Sequence, residues 1–242
     1  MHDADYLEKI RTGGFSESEM RIMEVPFSDA YREASILSAG ASTEAGRIAL
    51  RSGIGVHLGG GFHHAFAGHG EGFCMINDVA VAAMTLLREA AVERLAIVDL
   101  DVHHGNGTAT IFADEPSVFT FSMHHQWNYP ALKPPSDLDV GLDDGIGDDE
   151  YLRLLTEHLP AVLEHQPSLI FYLAGADPFQ EDQLGGLALT KAGLRARDET
   201  LLSKVRGAGV PLAVTLAGGY AMKLRDTVDI HCATVEASLA SV

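Results

Sequence analysis

Two carboxylates, two imidazoles, a glycine and an asparagine crowd into Asp99-Leu100-Asp101-Val102-His103-His104-Gly105-Asn106, at the end of the apolar run Leu95 to Leu100. Such a run reads as a buried parallel strand, and ionisable groups released beside it are costly unless something pairs them. In an extended chain Asp99, Asp101 and His103 share one face. Asp101 and His103 then supply half of the tetrahedral shell of a zinc ion, and a catalytic zinc takes three protein ligands and keeps one position open. Asp177, on the tight exit Gly175-Ala176-Asp177-Pro178, is the best third candidate. A set of this hardness also accepts iron(II) or cobalt(II).

An ion held this way polarises a carbonyl and makes water acidic enough to attack it at neutral pH. Amide hydrolysis further needs a base for the water and an acid for the departing amine. His63 and His64, delivered by Gly59-Gly60-Gly61-Phe62, can fill those roles if Asp99 and Asn106 orient their far nitrogens. Tyr220, on the loop Gly218-Gly219-Tyr220, can donate to the oxyanion, and one such donor is worth about 3 kcal/mol in the transition state. Phe73 beside Gly72, with Trp127 or Tyr129, can line an apolar slot for an alkyl chain, although core packing explains each aromatic equally well. His124-His125 reads as the start of a polar loop rather than a metal site, and Cys74 as a small buried side chain.

The elements that must position these groups follow from periodicity. Helices are expected over Ala4 to Arg11, Ala30 to Arg51, from Asn77-Asp78 to about Ala90, Thr108 to Ala113, Asp148 to His165, Lys191 to Ala208, and about Leu224 to Ser241. Strands are expected over Ile54 to Leu58, Leu95 to Leu100, Val118 to Met123, Leu169 to Ala174 and Pro211 to Leu216. A long loop, His124 to Gly147, carries Pro130, Pro134 and Pro135. This alternation implies one α/β domain, residues 1–242, in three layers: a central parallel sheet with helices on both faces. Ligands bind beyond the carboxyl ends of such strands. His63-His64, Asp99 to Asn106, Asp177 and Tyr220 each lie just past a different expected strand, so four loops should meet on one rim.

Composition narrows the partners. The net charge of -17, with no basic cluster, argues against direct binding to nucleic acid and favours a cationic substrate. No apolar run approaches the roughly 20 residues of a membrane span, and the N-terminus has no secretory pattern, so a cytoplasmic location is expected. Cys74 and Cys232 have no metal-type spacing.

Gly59-Gly60-Gly61-Phe62-His63-His64, Gly72-Phe73-Cys74, Asp99 to Gly107, Gly175-Ala176-Asp177-Pro178 with Asp182-Gln183-Leu184-Gly185, and Gly218-Gly219-Tyr220 together resemble the zinc-dependent histone deacetylase family, of the arginase/deacetylase fold. Asn106 and the triple-glycine form are most similar to class IV and its bacterial relatives. The resemblance implies zinc on Asp101, His103 and Asp177, His64 as general base and later acid, His63 as its Asp99-paired electrostatic partner, and Tyr220 as carbonyl polariser. It implies an acyl-lysine tunnel walled by Phe73, to which the reading of the residues adds Gly72 and Tyr129 as tunnel candidates. It also implies a potassium ion held by Asp99, the main-chain oxygens of Asp101 and His103, Ser122 and the Met123 carbonyl. The substrate would be acyl-lysine in a protein, or a similar N-acyl amine, with an acetyl or longer fatty acyl group.

The chain joins the family pattern late, without its leading segment and first strand, so one wall of the site is expected to be open or supplied by another subunit of an oligomer. Asn106 stands where class I has Asp, and a neutral amide raises its partner imidazole's pKa less than a carboxylate does. Two other readings compete. An arginase-like binuclear ureohydrolase needs a further acid two residues beyond Asp177, where Pro178-Phe179-Gln180 offers none. A non-catalytic acyl-lysine binding module would need none of the proton-transfer groups that are present.

Overall fold

Alternating side chains in the central strands set the layering of the computed structural model, which describes residues 1–240. Leu95 and Ile97 of β2 (Leu95–Asp99) pack into one helical layer, while Ala96 and Val98 pack into the other. β5 (Leu169–Leu173) does the same with Leu169, Phe171 and Leu173 against Ile170 and Tyr172. Both strands are buried along their whole length, which is why they read as continuous apolar runs.

Four more strands complete the sheet: β1 (Ile54–His57), β3 (Val118–His125), β4 (Leu138–Leu142) and β6 (Leu212–Thr215). Their order is β1-β6-β5-β2-β3-β4, with every pair parallel. From β2 the chain proceeds outward through β3 to β4; from β5 it proceeds the other way to β6. The order therefore reverses between β2 and β5, where crossovers leave to opposite sides and a crevice opens beyond the strand ends. Asp101 and His103 follow β2, and Asp177 follows β5.

One face carries α3 (Asp29–Ser52), α4 (Asp78–Arg88) and α5 (Asn106–Phe112), through residues such as Ala45, Leu86 and Phe112. The other carries α6 (Asp148–Glu164), α7 (Lys191–Gly207) and α8 (Leu224–Ala240), through Leu155, Leu201 and Ile230. α1 (Ala4–Thr12) and α2 (Glu17–Met23) close a small cluster of Tyr6, Ile10, Met23 and Met75. Ser241, at the end of the last expected helix, lies outside the described residues.

Two expectations change. The stretch from His124 to Gly147 is not one long loop: His124 and His125 extend β3, and Leu138–Leu142 forms the edge strand β4. An edge strand is half covered, and here Val140 and Leu142 are buried while Asp139 and Gly141 are exposed, so only a short alternation marked it. α2 was also unannounced, although Ser16 and Glu19 form a reciprocal capping box at its start.

Candidate active site

The two histidines after the triple glycine are held by the first turn of α4. Buried Asp78 accepts from the backbone nitrogens of Gly61 at 3.1 Å and Phe62 at 2.8 Å. Asn77 caps α4 through Ala80, while its amide nitrogen donates to Ala65 O and Thr108 Oγ1. The loop is thus strapped on both sides of the histidine pair. His63 Nδ1 lies 2.6 Å from Asp99 Oδ2, and His64 Nδ1 lies 2.7 Å from Asn106 Oδ1. The two Nε2 atoms are 3.1 Å apart, a distance that requires one proton between them. Burial opposes charge on His63, but Asp99 and Asp101 outweigh it and push its pKa up to about 9. Burial and the charge of His63 push His64 well below the usual range. The two shifts run in opposite directions and favour positive charge on His63 over His64.

Asp101, His103 and Asp177 bring one ligand atom each within 4.8 Å of one another, and all three residues are buried. His103 Nδ1 is 3.0 Å from Asp101 Oδ1 and 3.4 Å from Asp177 Oδ2. Asp101 Oδ2 accepts from Gly218 N, and Asp177 Oδ1 accepts from Val102 N, each at 2.9 Å. Asp177 Oδ2 is buried with no hydrogen-bond partner. Burial and the charge of Asp101 push the Asp177 carboxyl up to about 7. Burial also opposes charge on His103, but hydrogen bonding to Asp101 and the nearby Asp177 carboxylate raises its pKa to about 11. Two desolvated carboxylates that draw in any available positive charge suit a divalent cation, and their oxygen and nitrogen donors fit zinc. Gly218 makes room for them, because a Cβ there would collide with Asp177 Oδ2.

Arg197, wholly buried on α7, ties the two ligand-bearing loops together. Its Nη1 donates to Gly175 O at 2.6 Å and Leu100 O at 3.3 Å, and its Nε donates to Asp198 at 2.9 Å.

A cavity of about 360 Å³ opens over this cluster, lined among others by Gly72, Phe73, Tyr129, Leu184 and Tyr220. Phe73 is held at φ 65°, an unusual conformation for a bulky residue, by its amide on Met23 O and by Tyr31 OH donating to its carbonyl. Gly72 has no side chain to strike the His64 ring, which a Cβ would approach to 2.8 Å. Tyr129 sets its edge against His64, with ring centroids 4.9 Å apart. Tyr220 is 37% exposed, and its backbone nitrogen is held by Asp182 Oδ2 at 2.5 Å. Trp127 is 75% exposed and is not among the lining residues. Glu24, just past α2, joins the lining, so the leading helices contribute wall to the site themselves.

Asp99 and Ser122 face each other in register across β2 and β3, with Met123 next in line. Both Asp99 oxygens are engaged, by Asp101 N and His63 Nδ1, and Ser122 Oγ contacts His124 Nδ1. Unlike the Asp177 cluster, these residues hold no orphaned side-chain oxygen that calls for an ion. His124 also falls in a second group, with His104 and Asp139, whose ligand atoms lie within 4.8 Å. There His104 Nε2 is 3.2 Å from Asp139 Oδ1, and the Lys133 ammonium already acts on His124 as a neighbouring positive charge.

The roles of Asp78, Glu71 and Arg197 escaped the sequence reading, and Asp182 entered it only as part of a family motif. Asp78 was visible only as part of a helix start and Glu71 only as an acid between two glycines. No spacing rule ties either to residues far along the chain.

The histone deacetylase domain family matches residues 1–235. An uncharacterized protein of Picosynechococcus sp. is 42% identical over 96% of this chain and 77% of its own length. Histone deacetylase 2 of Arabidopsis thaliana is 31% identical over 91% of this chain, which spans only 59% of that relative. The crystal structure of the HDA15 HD domain superposes with a TM-score of 0.80 at 26% identity, covering 98% of this chain and 73% of that one. With its match across nearly the whole sequence and its fold shared with that domain, the chain belongs to the histone deacetylase domain family.

Proposed function

We propose that this protein is a zinc-dependent amidohydrolase that removes an acyl group, acetyl or a longer fatty acyl, from the side-chain amine of lysine. The observation that carries the reading is the orphaned, buried Asp177 Oδ2 facing His103 Nδ1 at 3.4 Å, beside Asp101 and under the paired histidines. Asp101, His103 and Asp177 would hold the ion, which supplies Lewis acidity toward the amide carbonyl and toward water.

The protein's own groups account for the rest. His64 Nε2 takes the proton of the attacking water and returns it to the departing amine. His63, kept charged by Asp99, stabilises negative charge as it develops and lowers the proton affinity of its neighbour. Tyr220 donates its hydroxyl to the carbonyl oxygen as that oxygen gains charge. Phe73 and Tyr129 line the route for the aliphatic stem, and the acidic surface attracts a basic peptide. Zinc rather than another ion, lysine rather than another amine, and the class IV likeness rest on the donor set and the resemblance. The potassium ion rests on the resemblance alone.

A fluorogenic acyl-lysine peptide tests the reading. Turnover should vanish with chelator and return with zinc, and kcat/KM compared for acetyl-, octanoyl- and myristoyl-lysine peptides assigns the chain length. No turnover of any of the three by zinc-loaded protein would leave the binding-module reading instead.

A further inference from the structure

A base at His64 works only if its Nε2 carries the lone pair, so Nδ1 must carry the hydrogen. Nothing in the His64–Asn106 contact enforces that. An asparagine amide offers an oxygen on one side and an NH₂ on the other, and turned over it would stabilise the opposite, inactive tautomer. Where a carboxylate sits in this position the question does not arise, because a carboxylate only accepts.

We infer that Glu71 is the positioning residue that settles the question: by accepting from Asn106 it fixes the amide's orientation and, through it, the reactive tautomer of His64. Glu71 Oε1 accepts from Asn106 Nδ2 at 2.7 Å and from Tyr129 OH at 2.8 Å. An ionised carboxylate has no hydrogen to give, so Asn106 must present its NH₂ to Glu71 and its Oδ1 to His64. His64 Nδ1 must then be the donor across the 2.7 Å contact, which leaves Nε2 as the lone-pair atom. With Nε2 as the lone-pair atom of His64, the 3.1 Å contact to His63 Nε2 is completed by a hydrogen on His63. Three hydrogen bonds around Glu71, from Asn106, Tyr129 and the more distant His69 at 3.4 Å, favour its charged form against the cost of partial burial. The same oxygen anchors the Tyr129 ring against His64, so one carboxylate orders both the base and the wall beside it. In effect the acceptor-only group has been moved one residue outward, from position 106 to position 71.

The inference rests on the proposed base role of His64 for its meaning, yet its test does not depend on turnover. Glu71→Gln keeps the shape but lets the amides at 71 and 106 pair either way round. Long-range 15N spectra of imidazole-labelled protein should show a single Nδ1–H tautomer of His64 in the wild type and a mixture in Glu71→Gln. In the zinc-loaded enzyme kcat should fall about 10- to 100-fold, the range for losing an orienting partner, with KM changed far less. The exchanged pair Glu71→Gln with Asn106→Asp puts the acceptor-only group back beside His64 with the charge count unchanged. It should restore the single tautomer and bring kcat to within a few-fold of wild type. An unchanged His64 spectrum in Glu71→Gln, or a double variant no better than the single, overturns the inference. If no protein turns over substrate but the tautomer responds as expected, the proposed function fails and the positioning role stands.

Discussion

At the scale of single residues, the site is a set of charges that neutralise one another only in specific pairs. Asp99 pairs with His63, and burial together with the charge of His63 disfavours charge on His64. Asn106, being uncharged, opposes this lowering of the His64 pKa only through its hydrogen bond to His64. Asn106→Asp places a second negative charge beside His64, next to Glu71, and so raises the imidazole's pKa. Because the neutral form is the active base, the acidic limb of the kcat/KM profile should move to higher pH. A profile superimposable on wild type would show that residue 106 does not act on the base. The histidines, the carboxylates and their pairing were legible in the sequence because each lies within a few positions of a strand end. Glu71 was not, because its meaning depends on the two amide groups of a residue 35 positions away.

Among elements, α7 does more than cover the sheet. Arg197 reaches from it to the carbonyls of Leu100 and Gly175, the residues immediately before Asp101 and just ahead of Asp177. The guanidinium thereby clamps from below the two loops that the Val102 N–Asp177 Oδ1 hydrogen bond also joins. Arg197→Met removes both clamps and leaves Asp198 buried without its countercharge. Breaking a buried pair in this way costs about 3–5 kcal/mol. Urea unfolding should register that loss, and zinc affinity should fall with it. Unchanged affinity in the folded variant would mean that the loops hold their spacing unaided. Periodicity located α7 correctly, yet an arginine in a helix reads by default as a solvated side chain.

For the molecule as a whole, the reversal of strand order between β2 and β5 brings Asp177 to residues some 75 positions earlier in the chain. A cation bound there adds its binding free energy to folding, since the unfolded chain holds no such cluster. At a free concentration 100 times its Kd the gain is about 2.7 kcal/mol. At about 2–4 °C per kcal/mol for a chain this size, chelation should lower the melting temperature by roughly 5–10 °C. Re-addition of zinc should restore it. A melting curve indifferent to both would mean that the three side chains do not grip an ion.

What the sequence determined by itself was local: apolar periods that make strands and helices, and polar groups released where each period ends. Leu95 to Leu100 could be read as a buried strand because both of its faces are covered, so every position is apolar. β4 could not be read with the same ease, since an edge strand is covered on one face and writes only a short alternation. Tertiary structure alone decided which strand ends become neighbours, because strand order is set by how crossovers pack across the whole sheet. It alone decided the long-range hydrogen bonds of Asp78, Glu71 and Arg197, because a side chain's partner depends on distance in space and not along the chain.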